Sequence, residues 1–325
     1  MNENRGVYEV GFTNRSGWIG ALRTEETTRD IEAGELVVAL SGNPNTGKST
    51  VFNSLTGLNQ HTGNWPGKTV VSARGRYGHD GERFVLVDLP GTYSLLSNSV
   101  EEEVARDFIC FEKPKATVVV TDATCLERNL NLVLQIMEMT DNVVVCVNLM
   151  DEAKRKQIKV DIEGLSKILG VPVVGTSARD GIGLEELKSV VSKVCTGDIR
   201  PAPMVTRYSF AVEKALESLI PKIVMEEGKD RERRWVALRL LEGDPAIGAS
   251  IKEHWFRNEL IWEEISRSVS EVREQCDESA KDIDHLRDNM VASIVLLAEE
   301  ISQEVVGFGE KKYHEQDRKI DRILT

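Results

Sequence analysis

The sequence predicts an α/β domain, a mostly parallel sheet with helices on both faces, followed by an all-α helical domain. Three observations carry this. Gly42-Asn43-Pro44-Asn45-Thr46-Gly47-Lys48-Ser49 fits the phosphate-loop pattern G-x-x-x-x-G-K-[ST], between the apolar run Leu36–Leu40 and an amphipathic helix bearing Val51, Phe52 and Leu55. From Leu36 to about Val194, short apolar strands alternate with helical stretches, as in sheets covered on both faces. Beyond Pro201 and Pro203 the pattern is helix after helix.

In order, residues 1–35 form an N-terminal extension without an assigned role; Val7–Phe12 alternates weakly like a strand, and Thr24–Glu32 is charged. Residues 36–197 form the first domain. Its strands are expected at Leu36–Leu40, Thr69–Tyr77, Arg83–Leu89, Thr117–Asp122, Val143–Asn148 and Val171–Gly175, and its helices at Glu101–Phe111, Leu126–Met139, Ile162–Leu169 and Leu184–Val194. Tyr77-Gly78-His79-Asp80-Gly81-Glu82 has hairpin chemistry and adds one antiparallel pairing. Residues 198–325 form the helical domain. Phe210–Met225 reads as a helix kinked at Pro221, Arg231–Glu242 ends at Gly243, and Asp244-Pro245 reads as an N-cap followed by Pro at the first helical position. Apolar stripes at Ile261, Ile265, Val269, Val272 and Cys276, and at Ile283, Leu286, Met290, Ile294, Leu297 and Ile301, predict a bundle core.

The net charge of −12 weighs against nucleic acid as a partner, because phosphate backbones need a basic surface. The Glu-rich stretches Glu101–Glu103, Glu226-Glu227 and Glu263-Glu264 read as solvated helix faces. Five scattered cysteines without C-x-x-C spacing predict neither a disulfide framework nor a zinc site, and His61, His79, His254, His285 and His314 lack ligand spacing. No apolar run reaches the roughly 18 residues that span a bilayer, and no signal-peptide pattern opens the chain, so it reads as soluble.

In such sheets the chemistry lies in loops at the C-terminal strand ends. In the loop after the first strand, curled backbone and the helix N-terminus cradle phosphates, Lys48 reaches the β/γ-phosphates, Ser49 places its hydroxyl on Mg²⁺, and Thr50 continues the contact set. In Asp88-Leu89-Pro90-Gly91, Asp88 can hold Mg²⁺ through water and the Gly91 N–H can meet a γ-phosphate. In Asn148-Leu149-Met150-Asp151, the Asp151 carboxylate can accept both N1–H and the exocyclic amine of guanine, which adenine cannot satisfy. In Thr176-Ser177-Ala178, the backbone can donate to guanine O6. Four motifs in this order predict a guanine nucleotide, GTP or GDP, as ligand.

That order resembles the small, Ras-like P-loop GTPase superfamily. Gly42–Asn45, Gly63-Asn64-Trp65-Pro66-Gly67-Lys68-Thr69-Val70, Asp88–Leu95 and Asp122–Leu130 together resemble the cytosolic G domain of the FeoB ferrous iron transporters, and Arg234–Asp244 resembles their helical domain. The likeness runs from about Leu36 to Thr325. It implies a slowly GTP-hydrolysing domain at the cytoplasmic face of the cell membrane, coupling nucleotide state to Fe²⁺ uptake through a transmembrane iron-permease domain absent from this chain, with small regulatory Feo proteins as further partners. It also implies a helical domain that stabilises the GDP state.

Thr92 follows Gly91 where Ras-like enzymes carry the water-orienting Gln, so hydrolysis is expected to be slow. Leu149 stands where many GTPases have Lys, removing a stacking partner for the base. Asn45 resembles the residue that helps bind K⁺ beside the phosphates in cation-dependent GTPases; the bland reading is an Asn tolerating a tight turn. Thr69, between Gly67-Lys68 and the strand, is the switch I candidate for Mg²⁺. A soluble G protein of ribosome or tRNA maturation shares the four motifs but is disfavoured by the acidic balance, and a nucleotide-regulated scaffold with negligible turnover stands third.

Overall fold

The computed structural model describes residues 32–57, 60–65, 70–96, 99–226, 229–275 and 283–308. Its sheet grows from β1 (Glu35–Gly42), which lies parallel between β4 (Glu82–Asp88) and β5 (Ala116–Asp122). β6 (Val143–Asn148) and β8 (Val173–Gly175) extend it in parallel, while β3 (Val71–His79) and β2 (Gln60–Asn64) extend the other edge antiparallel. The order is β2-β3-β4-β1-β5-β6-β8. β6 is buried along its whole length, which is why Val143–Asn148 has no polar alternation.

One face packs on α1 (Lys48–Thr56) and α6 (Leu184–Thr196), through Val51, Phe52, Leu55, Leu187 and Val191. The other packs on α2 (Val100–Asp107), α3 (Leu126–Met139) and α5 (Ile162–Leu169). The second core runs on into the helical part. There α7 (Phe210–Leu219), α8 (Asp230–Glu242), α9 (Pro245–Trp255), α10 (Glu259–Gln275) and α11 (Ile283–Val305) contribute Leu216, Trp235, Ile247, Ile265 and Ile294 to one continuous cluster. α11 lies along α3 and buries Leu286, Met290, Ile294, Ala298, Ile301 and Val305, the i, i+4 stripe expected of a bundle helix. Each large apolar side chain so buried contributes about 1.5–3 kcal/mol. Cys276 lies outside the described residues.

The chain then doubles back. β9 (Val306–Phe308) pairs antiparallel with β7 (Ile158–Val160), and the Asp161 N–H donates to the Val305 carbonyl at 2.8 Å. Neither strand was expected; each has only three residues, too short to leave a period. β7 follows α4 (Met150–Arg155).

Other departures have local causes. The stretch 60–64 forms β2, because its backbone pairs with Val71–Gly75 although its polar, Gly-containing sequence gives no strand signal. The helix expected over Glu101–Phe111 stops at Asp107 and widens into a π turn, Phe108–Glu112, closed by Lys113 at φ 49°. Pro221 ends α7 rather than kinking it: the chain tightens into a 3₁₀ turn, Ile220–Lys222, since Pro lacks the N–H that would continue an α-helix. Glu102, whose N–H donates to the N-cap Ser99, is buried rather than solvated. Cys110, Cys125, Cys146 and Cys195 are unpaired, and burial pushes the Cys146 and Cys195 thiols up to about 12. Among the described residues no helix is long and apolar enough to cross a membrane and no cluster of side chains could hold a metal through His, Cys, Asp and Glu alone.

Asp244 caps α9 as expected, its Oδ1 accepting from the N–H groups of Ala246 at 2.8 Å and Ile247 at 3.2 Å. Asp244→Ala should lower stability by about 1 kcal/mol. The readout is a lower urea midpoint at unchanged denaturant slope; an unchanged midpoint would show that the cap carries nothing.

Candidate nucleotide-binding site

The loops that follow β1, β4, β6 and β8 converge at the C-terminal ends of the parallel strands. Two glycines shape the first of them. A Cβ on Gly42 would lie 2.5 Å from the Val120 carbonyl oxygen, so the turn out of β1 passes too close to β5 for any side chain. Gly47, at φ 81°, is the N-cap of α1, with no side chain capping the helix. The first-turn N–H groups of α1 therefore face the loop without a protein side-chain acceptor, an arrangement suited to an anion.

Lys48 opens α1, and its ammonium group ion-pairs with Asp88 Oδ1 and donates to the Leu89 carbonyl at 2.7 Å. Burial pushes the Asp88 carboxyl up, and the charge and hydrogen bond of Lys48 counter this only in part. Ser49 and Thr50 are exposed beside it. Gly91 comes against the loop, since a Cβ there would stand 3.5 Å from the Pro44 nitrogen. Leu89 is buried and Pro90 half-buried. Asn45 is exposed and takes φ 67°, the left-handed conformation that the tight-turn reading requires. Both carboxamide atoms of Asn43 are buried without a hydrogen-bond partner among the described residues. Gly67, Lys68 and Thr69 lie outside the described residues.

Asn148, 1% exposed, ties the loops together. Its Nδ2 donates to the Thr46 carbonyl at 3.0 Å, and its Oδ1 accepts from the Thr176 hydroxyl at 3.0 Å and the Ala178 N–H at 3.1 Å. Thr46 in turn donates its hydroxyl to the Asn43 carbonyl at 3.0 Å. One carboxamide thus fixes the phosphate loop relative to the loop after β8. Leu149 takes φ 61° to start α4, so Met150 and Asp151 occupy its first turn. The Asp151 N–H donates to Ser177 Oγ at 3.1 Å, while among the described residues its carboxylate has no hydrogen-bond partner. A cavity of about 900 Å³ opens here, lined by Asp151, Lys154, Ser177, Ile182 and β7. The Asp151 carboxylate is thus an acceptor suited to one edge of a purine, while the Ala178 N–H is engaged by Asn148 Oδ1.

Sequence reasoning missed the side-chain roles of three supporting residues. Thr176 orients Asn148. Asn129 accepts the Asp122 N–H at 2.7 Å, so the Asp122–Leu130 stretch folds back on its own strand end. Gln135, on α3, accepts from the Leu95 N–H at 2.7 Å and the Ser94 hydroxyl at 3.1 Å, pinning the far end of the Asp88 loop. Thr176 falls in the Thr176-Ser177-Ala178 motif and Asn129 in the Asp122–Leu130 stretch, whereas nothing in the sequence singles out Gln135.

Two family models match the chain: ferrous iron transport protein B over residues 36–191, and the FeoB cytosolic helical domain over residues 208–307. The Fe(2+) transporter FeoB of Methanocaldococcus jannaschii is 39% identical over 235 residues, 72% of this chain and 34% of that protein. The chain thus spans about a third of the length of the curated relatives it matches. Among solved structures, the cytosolic domain of the T. maritima FeoB iron transporter in a GDP form is 31% identical, with TM-score 0.70, covering 84% of this chain and all of that one. The same domain in its GMPPNP form is 31% identical, with TM-score 0.68, covering 84% of this chain and 99% of that one.

Proposed function

The chain belongs to the FeoB family of ferrous iron transport proteins, and from that premise we propose that it binds GTP and hydrolyses it slowly, as the nucleotide-responsive cytoplasmic part of an Fe²⁺ transporter. The observation that carries this reading is Asn148, whose single side chain locks the phosphate loop to the base-side loop while Asp151 stays free to accept. The GDP and GMPPNP forms of similar cytosolic domains support the nucleotide. The membrane part, the iron cargo, the small Feo partners and a position at the cytoplasmic membrane face follow from the family alone.

The residues fit the groups they would hold. A Cβ at Gly42 would strike the Val120 carbonyl and one at Gly47 the Asn148 side chain, so the loop keeps its tight course only with glycine at both positions, and the uncapped start of α1 offers N–H donors to phosphate oxygens. Phosphate would compete with Asp88 for Lys48, releasing the carboxylate. Asp88 and Ser49, with Thr69, would then hold Mg²⁺, which supplies counter-charge to the transferring phosphoryl group. Gly91 lies against Pro44 of the loop, where its N–H would meet a γ-phosphate. Thr92 offers only a short hydroxyl where a Gln would reach for water, which favours a slow rate.

Calorimetry with Mg-GTP and Mg-ATP tests the nucleotide: binding of GTP alone is expected, and equal binding of ATP would overturn the roles of Asp151 and Ala178. For the monovalent ion, Asn45 at the exposed crest of the loop is the candidate K⁺ ligand. Replacing KCl by NaCl at constant ionic strength should slow phosphate release, and Asn45→Ala should erase the difference. Equal rates in both salts for the unmodified protein would show that no potassium ion takes part.

A further inference from the structure

The π turn Phe108–Glu112 stands where three parts of the molecule meet. It continues α2, the helix entered from the Asp88–Leu96 loop. On one side Phe108 meets the Trp65 ring in a T-shaped contact, with centroids 5.4 Å apart and planes at 71°. On the other, Phe111 stacks on His254 at 4.0 Å and 12° and meets Trp255 at 5.1 Å, and Trp255 meets the buried Trp235 at 6.0 Å. His254 and Trp255 close α9, in the helical part, and the His254 ring is fixed by Nδ1 at 2.8 Å from the Ser250 carbonyl. The turn thus puts Trp65 and the helical part on opposite sides of one five-residue segment.

That segment is held at a cost. π turns are rare and occur mainly as single turns, often at functional sites. Its closing residue, Lys113, is a non-glycine at φ 49°. Trp65 is 6% exposed, and its Nε1 is buried without a hydrogen-bond partner among the described residues. A buried indole N–H left unpaired is penalised, so a second position for Trp65, with that N–H solvated, competes with this seat. Two competing arrangements of a packed element are what coupling between sites requires.

We infer that the π turn is the coupling element between Trp65 and the helical part: with Trp65 seated on Phe108 the wide turn holds Phe111 between His254 and Trp255, and withdrawal of Trp65 lets the turn tighten and moves Phe111 against α9. The inference rests on the nucleotide reading above, with Trp65 in switch I, and specifies how that site is regulated. It assigns the helical domain's influence to ring packing at Phe111 rather than to a direct contact with nucleotide.

The chain has five tryptophans, so incorporation of 5-fluorotryptophan gives five ¹⁹F signals, assigned by Trp→Phe variants. On adding a non-hydrolysable GTP analogue, the Trp65 and Trp255 signals should both shift. In Phe111→Leu the Trp65 shift should remain and the Trp255 shift should be lost. His254→Leu, which removes only the stacked ring from α9, should cut the Trp255 shift by half or more and covers the case in which Phe111→Leu does not fold. Movement of Trp65 without Trp255 in the unmodified protein, or a full Trp255 shift in either variant, overturns the coupling while leaving nucleotide binding intact. Absence of binding heat together with five unmoved signals overturns the nucleotide reading and the coupling with it.

Discussion

Gly47→Ala is expected to weaken nucleotide binding severely while the sheet remains folded. At φ 81° an alanine pays about 1–2 kcal/mol for the left-handed conformation. Its Cβ would also lie 2.4 Å from Asn148 Nδ2, far inside contact distance. Asn148 cannot move aside without losing the Thr46 carbonyl and disturbing Thr176 and Ala178, and each buried partner so stranded costs about 1–3 kcal/mol. The phosphate loop and the base-side loop are therefore loosened by one methyl group. Guanine nucleotide affinity should fall at least ~100-fold, the equivalent of about 2.7 kcal/mol. Far-ultraviolet circular dichroism should stay close to that of the unmodified protein, since the strands that bury the core do not depend on the loop. Retention of full affinity by a folded Gly47→Ala protein would mean that phosphates are held elsewhere.

Asp151→Asn should exchange base preference rather than remove binding. Asp151 has a backbone N–H anchored on Ser177 and a carboxylate without a hydrogen-bond partner among the described residues. Hydrogen bonds to a charged group contribute about 1.5–3 kcal/mol each, so losing two acceptor contacts to guanine should cost about 10²-fold or more in affinity. A carboxamide presents one acceptor and one donor, the pattern that xanthine complements. Titrating GTP and XTP against both proteins reads this directly, and equal GTP affinity would place the base away from α4. Ser177→Ala supplies an internal comparison, because it removes the anchor of α4 but not the acceptor. It should weaken GTP and XTP together.

The parts of the fold that were legible in the sequence are those whose signal is local. β6 and β5 show as continuous Val runs because both faces are buried, α3 carries its apolar face over four turns, and Gly57 and Gly243 end helices in the left-handed conformation that favours glycine. The phosphate loop was legible because its spacing is fixed by backbone geometry. What was not legible is set by distant partners. β2 and β9 exist because β3 and β7 offer them hydrogen bonds, and Glu102 is buried by packing that no neighbour in sequence reveals. The π turn is the clearest case. Phe108-Ile109-Cys110-Phe111 has the composition of an ordinary helix end, and only the rings on either side account for its width. At the site, the spacing of Asn148-Leu149-Met150-Asp151 points to the base, but the structure shows the Asn148 side chain largely spent on holding loops together.

The return of the chain at β9 bears on how the protein is made. β7 and its partner β9 are far apart in sequence, and α11 reaches α3 across a similar span, so these contacts close very long loops and form late. While the ribosome is still synthesising the helical part, the first domain carries the uncovered apolar surface of α3 and, outside its main sheet, the unpaired segment Ile158–Val160. Both are exposed where aggregation starts. The nucleotide loops are complete by residue 178, long before that cover arrives. A bound nucleotide can thus steady the half-made sheet, by mass action on its folded form, during the interval before α11 and β9 emerge.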